Sequence, residues 1–108
     1  MLWYCRFRRL PDATPEQVRH RLLIQHAAGT NQPERIRSWY NFVDGGAGFV
    51  LIEADDLRDV NVILDPYRDL LGWDVDVVVE RRYQVFVQEL LAREAEMEQA
   101  LTTMGGSG

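Results

Sequence analysis

His20 and His26 lie six positions apart on one stretch with helical spacing. Two imidazoles that share a metal ion on a helix sit at i and i+4, so this pair does not make such a site alone. No cysteine stands near either, and metal binding there would need carboxylates from elsewhere. His26 shares the side of Val18 and Leu22. An imidazole among apolar neighbours could serve as a base, anchor a ligand or take an axial position on haem iron. Glu53 closes an apolar run and falls by alternation on the face of Phe49 and Leu51. A desolvated carboxylate there would hold its proton more tightly and could act as a general base. Its competing role is an ion pair with Arg6 or Arg8 on the neighbouring strand, or contact with solvent. His26 and Glu53 are the expected catalytic candidates.

A ligand pocket also needs walls. Tyr4, Trp39, Tyr40, Tyr67 and Trp73 are the aromatic supply, although such rings more commonly build cores and interfaces. Tyr4, Arg6, Trp39 and Tyr67 are the expected ligand-binding residues, Trp39 standing out for its polar neighbours Ser38 and Asn41. Asp65 and Asp69 flank Tyr67 and have the chemistry of metal ligands, but a solvated helix end accounts for them equally. No metal site is expected. Cys5 reads as a small buried hydrophobe. Gly45-Gly46-Ala47-Gly48 joins two predicted strands rather than a strand and a helix, so it offers no phosphate loop. No serine stands in a nucleophile elbow.

The elements that must hold these residues follow from periodicity. Leu2 to Arg8 predicts a strand with Trp3, Cys5 and Phe7 on one face and Tyr4, Arg6 and Arg8 on the other. Thr14-Pro15-Glu16-Gln17 predicts a helix start, with Thr14 as cap and Gln17 closing a capping box. Gly29 ends that helix. Arg35 to Val43 reads as a second strand, and the turn from Asp44 to Gly48 uses glycines for positive φ. Phe49 to Ala54 is a third strand. Asp55 or Asp56 caps a second helix carrying Leu57, Val60, Ile63 and Leu64. Trp73 to Glu80 reads as a fourth strand and a solvated edge. Arg82 to about Leu101 predicts a final helix, expected to pack on the body or a partner through Val85, Phe86 and Leu90. Residues 1–101 form one expected domain, and 102–108 a flexible tail.

This order predicts an α+β fold, a ferredoxin-like βαββαβ arrangement with a four-stranded antiparallel sheet and an added C-terminal helix. Both crossover helices cover one sheet face. The other is left bare, and a second copy is its simplest cover.

Composition narrows the setting. The 108 residues carry a net charge of −5, which argues against the basic face a nucleic-acid reader needs. All twelve basic residues are arginine, with Arg6, Arg8 and Arg9 the N-terminal cluster. Cys5 is the only cysteine, which excludes an intrachain disulfide and fits a reducing cytoplasm. No secretory leader is expected, and no apolar run approaches the roughly 20 residues that span a bilayer.

The opening Met1-Leu2-Trp3-Tyr4, Trp39, the run Gly48-Phe49-Val50-Leu51-Ile52-Glu53-Ala54-Asp55-Asp56 and Pro66-Tyr67-Arg68-Asp69-Leu70-Leu71 together resemble a bacterial domain-of-unknown-function family. That family is similar in organisation to the dimeric α/β-barrel superfamily, whose sheets pack face to face around a shared cavity. The resemblance covers about residues 1–80, and the long final helix is additional to it. Relatives in that superfamily include cofactor-independent monooxygenases, haem-handling proteins, lactone isomerases, polyketide cyclases and ligand-sensing domains. The resemblance therefore implies a small-molecule pocket without choosing a reaction.

The expected function is a small-molecule-binding homodimer, with an accessory enzyme of oxidative or isomerising chemistry as one form it could take. The alternative is a non-catalytic protein-interaction module acting through its sheet face or its acidic C-terminal helix. An RNA-binding module of similar strand order is disfavoured, because the third strand lacks the aromatic pair and basic flanks. Cofactor and substrate are not legible.

Overall fold

The computed structural model describes residues 1–106. Leu2–Arg9 forms β1, where Trp3, Cys5 and Phe7 are buried and Arg6 and Arg8 face water. Aromatic residues at alternate positions favour that extended, half-buried state. Thr14 caps α1, Pro15–Ala28: its side chain accepts from the Gln17 N–H, and the Gln17 side chain accepts from the Thr14 N–H. Gly29, at φ +77°, closes the helix in the left-handed conformation that glycine adopts without strain. β2 is Ile36–Asn41 and β3 is Ala47–Glu53. Asp56 caps α2, Leu57–Leu64, by accepting from the Asp59 N–H. β4 is Leu71–Val78 and α3 is Tyr83–Gly106.

The strands lie in the order β2-β3-β1-β4, every neighbouring pair antiparallel. That is the ferredoxin-like βαββαβ arrangement, with β1 and β3 central. β4 is an edge, as its alternating aspartates predict. The core lies between the sheet and its two crossover helices: Trp3, Cys5, Phe7, Val50 and Ile52 from strands meet Val60, Ile63 and Leu64 from α2. Val18 and Leu22 of α1 pack against that cluster. Phe7 sits between two indoles, 5.4 Å from Trp39 and 5.5 Å from Trp73. The buried indole N–H of Trp3 donates to the Ala54 carbonyl, whereas that of Trp73 has no acceptor among the described residues.

Several bounds differ from expectation: β3 runs Ala47–Glu53 rather than Phe49 to Ala54, and β4 runs Leu71–Val78 rather than Trp73 to Glu80. β2 is shorter than Arg35 to Val43, and its register shifts between Ile36 and Ser38. Such a bulge moves later residues to the opposite face, so Ile36 and Trp39 both join the core while Tyr40 turns outward. In the β2–β3 turn, Gly45 and Gly46 do take positive φ, 81° and 78°. Gly48 is a glycine for another reason. It is buried within β3, where an added Cβ would collide with the Tyr40 carbonyl and come within 2.7 Å of the Phe7 ring.

α3 begins near the expected position but continues to Gly106, past the bound at Leu101; Ser107 and Gly108 lie outside the described residues. It does not settle on the body. Val85, Phe86 and Leu90 are exposed, and the chain measures 71 Å along its long axis against 29 and 21 Å across. The reason is occupancy: α1 and α2 already cover the apolar face, so α3 finds no open core to join. Arg81 braces its first turns through an ion pair with Glu89 at 3.7 Å and a stack over Phe86.

Candidate functional site

The six expected site residues do not come together in one place. His26 is exposed on α1. Glu53 is also exposed, half in water, with its carboxylate 3.5 Å from Arg37 and 3.8 Å from the amino terminus. Neither sits among the apolar neighbours expected of it; both side chains face water. The partner of Glu53 is Arg37 rather than Arg6 or Arg8, because register puts Leu2, not Arg6, opposite Glu53.

Trp39 and Tyr67 belong to the other side of the sheet. Trp39 packs on the core and donates its indole N–H to the Asn41 side chain at 2.9 Å. Tyr67 is 2% exposed, and its hydroxyl donates to the Asn31 side-chain oxygen. Asn31 in turn donates to the Leu22 carbonyl at 3.1 Å, tying the segment before β4 to α1. Burial pushes the Tyr67 phenol above its ordinary pKa. Tyr67 is thus held within the core and Trp39 at its margin. Asp65 and Asp69 are engaged as well, with Arg68 at 2.6 Å and Arg21 at 2.7 Å. Among the described residues no cluster of three or more His, Cys, Asp or Glu could hold a metal ion. Cys5 is fully buried, and desolvation pushes its thiol up to about 12, which removes it as a nucleophile.

Tyr4 and Arg6 lie on the bare sheet face, and that face has an organisation of its own. Phe49 is its hub, 4.7 Å from the stacked Tyr40 ring, 5.0 Å from Tyr4 and 6.5 Å from Phe42. These rings remain open to solvent: Tyr40 is 51% exposed and Phe42 39%. Charges of both signs border the cluster. Arg6 stands opposite Asp74 and Tyr4 opposite Asp76. Arg6, Arg8, Asp74 and Asp76 make no ion pair among the described residues. An exposed aromatic patch rimmed by unpaired charge is the pattern of a surface that another surface covers.

A cavity of about 490 Å³ opens elsewhere, where the end of β1 meets the start of α1 and the β2–β3 turn. Phe7, Val18 and Leu71 give it an apolar floor, and Arg9, Arg19 and Asp44 bring charge to its wall. None of the six expected residues lines it. The sequence signal was slight: Arg9 is simply the third arginine of a cluster, at a strand end before Leu10-Pro11.

No helix among the described residues is long and apolar enough to cross a membrane. A family model described as a domain of unknown function, DUF3303, matches residues 1–93. No curated protein matches the chain.

Proposed function

Starting from a chain that belongs to the DUF3303 family, we propose a cytoplasmic, small-molecule-binding homodimer joined through the bare sheet face, of the dimeric α/β-barrel type. The observation that carries this reading is the aromatic cluster on that face, in which Tyr40 and Phe42 are exposed and Tyr4 and Phe49 half-buried. Rings left in water on a small domain gain about 25 cal/mol for each Å² of apolar surface they bury. The charges support the same arrangement. A two-fold axis lying between the stacked sheets, along the β1–β4 seam, would set β1 of one copy over β4 of the other and bring Arg6 of each toward Asp74 of its partner. Net charge of −5 leaves no broad basic field for nucleic acid.

Light scattering on the full chain at about micromolar concentration tests it. Twice the chain mass is expected for wild type and the single chain mass for Phe49→Glu, with the circular dichroism of the two alike. A monomeric wild type sinks the reading.

A second reading rests on α3. Tyr83, Phe86, Leu90, Met97 and Leu101 recur along one side of this exposed helix. Arg81 and Arg82 precede it, while Glu94, Glu96 and Glu98 crowd its later turns. Antiparallel pairing with the same helix of a second copy would set those opposite charges together. In that case the protein is a non-catalytic interaction module and the sheet face is secondary.

A further inference from the structure

We infer that the cavity between β1, the start of α1 and the β2–β3 turn is a binding site for a small organic carboxylate with an apolar body, anchored by Arg9. This deepens the small-molecule half of the proposed function and is independent of how two copies meet.

Arg9 is held in place by neutral partners. Its backbone N–H donates to the Gly46 carbonyl at 2.6 Å, and its Nη1 donates to the Ala13 carbonyl at 2.9 Å. It is half-buried, and among the described residues it has no carboxylate within ion-pair distance. Arg21, Arg37, Arg68 and Arg81 each have one. An immobilised guanidinium without a counter-charge, with donors left over, is set for a planar anion that it can grip at two points. Gly46 keeps the approach open, since the nearest atom to an added Cβ there would be Arg9 Nη2, 3.9 Å away.

The rest of the lining limits what the anion can be. Phe7, Val18 and Leu71 supply apolar floor, so the ligand carries a hydrocarbon body. A volume of about 490 Å³ lies within the range of small-molecule pockets, roughly 300–1,000 Å³. Arg19 also lines the cavity, but it is exposed and shared with Glu16 at 3.3 Å, and it is free to swing toward an arriving anion. Asp44 lines the same wall. With Asp44 and Glu16 offsetting much of the positive charge, the site suits one negative charge rather than the two of a phosphate monoester.

The test is a titration of ¹⁵N-labelled full-length protein with phenylacetate, cyclohexanecarboxylate, the neutral phenylacetamide and inorganic phosphate. Phenylacetate or cyclohexanecarboxylate is expected to give saturable shifts at the amides of residues 9, 19 and 44–47. Phenylacetamide and phosphate should bind at least about tenfold more weakly. Arg9→Gln should lose about tenfold in carboxylate affinity and Arg9→Lys less, while Arg19→Gln, at an exposed position of α1, should lose a few-fold. Equal binding of phenylacetamide overturns the carboxylate assignment and leaves a small-molecule pocket standing. Unchanged affinity in both Arg9→Gln and Arg19→Gln also overturns it, as does the absence of saturable shifts at those amides up to about 10 mM carboxylate. The mass measurement on Phe49→Glu is unaffected by any of these results.

Discussion

Arg21 of α1 holds Asp69 through two hydrogen bonds, 2.7 Å and 3.0 Å long, and its Nη1 also donates to the Pro66 carbonyl. The two residues stand 48 positions apart in the chain. This fork fastens α1 to the turn that leads into β4, beside the Tyr67–Asn31 hydrogen bond. The hydrogen bond from Arg21 holds the Asp69 carboxyl below its ordinary pKa. A depressed carboxyl contributes stability above its unfolded value, near 3.9, and loses it as pH falls through the folded value. Arg21→Gln is therefore expected to be less stable than wild type at pH 7, with the two urea midpoints converging as pH falls below the unfolded carboxyl value. A gap that stays constant across that range would mean the contact acts through packing alone.

Gly48→Ala is expected to cost about 3 kcal/mol, because the new methyl has nowhere to go. It would meet the backbone of Tyr40 across the strand pair and the ring of Phe7 beneath it. Neither can shift cheaply, since Phe7 is wedged between Trp39 and Trp73. Gly45→Ala is the contrast: its Cβ meets nothing within 4 Å, but φ of +81° makes it a backbone cost only. Denaturant melts of the two variants separate collision from strain, and Gly48→Ala should be the weaker protein.

Much of the fold was legible because it is written in local chemistry. The capping box of Thr14 and Gln17, the stop at Gly29 and the alternation of Trp3, Cys5 and Phe7 each declare an element within a few residues. The strand order then follows from topology. Register does not. Alternation puts Glu53 on the same face as Arg6 but cannot tell that Arg6 stands opposite Phe49, four positions along β3. Nor can it foresee the bulge that carries Trp39 into the core and Tyr40 out of it. The cavity was missed for the same reason. Arg9 differs from Arg6 and Arg8 only through contacts with Ala13 and Gly46 that the folded chain supplies.

Cys5 predicts behaviour at the other end of the pH scale. Its thiol moves from an ordinary value of 9.0 up to about 12 because the folded protein excludes water from it. A raised value contributes stability that is complete below about pH 9 and is lost as pH climbs toward about 12. Cys5→Ala should be less stable than wild type at pH 7, having lost packing in the core. That deficit should shrink between pH 9 and pH 11, since alanine has no proton to lose. Tyr67 drifts in the same direction but is present in both proteins, so it cancels in the comparison. Reaction with a thiol reagent at pH 8 should be slow in the native protein and fast in urea. Rapid native labelling would show that Cys5 is reached without unfolding.

The exposed helix separates the two routes to a dimer. Leu90 and Met97 point along one side of α3 and are largely exposed. Replacing both with glutamate changes side chains outside the hydrophobic core, so the body should keep its stability within about 0.5 kcal/mol. If two copies meet through the sheet face, the double variant Leu90→Glu, Met97→Glu retains the dimer mass while Phe49→Glu does not. That is the expected result, because the rings around Phe49 form a denser apolar surface than the helix stripe, which Glu94 interrupts. The opposite pattern, with dimer lost in the helix variant and kept in Phe49→Glu, would move the interface to α3. Loss in both would mean that the helix crosses over the partner's sheet, and mixing Phe49→Glu with the double variant would then restore pairing, since one of the two helix-on-sheet contacts in the mixed dimer is intact.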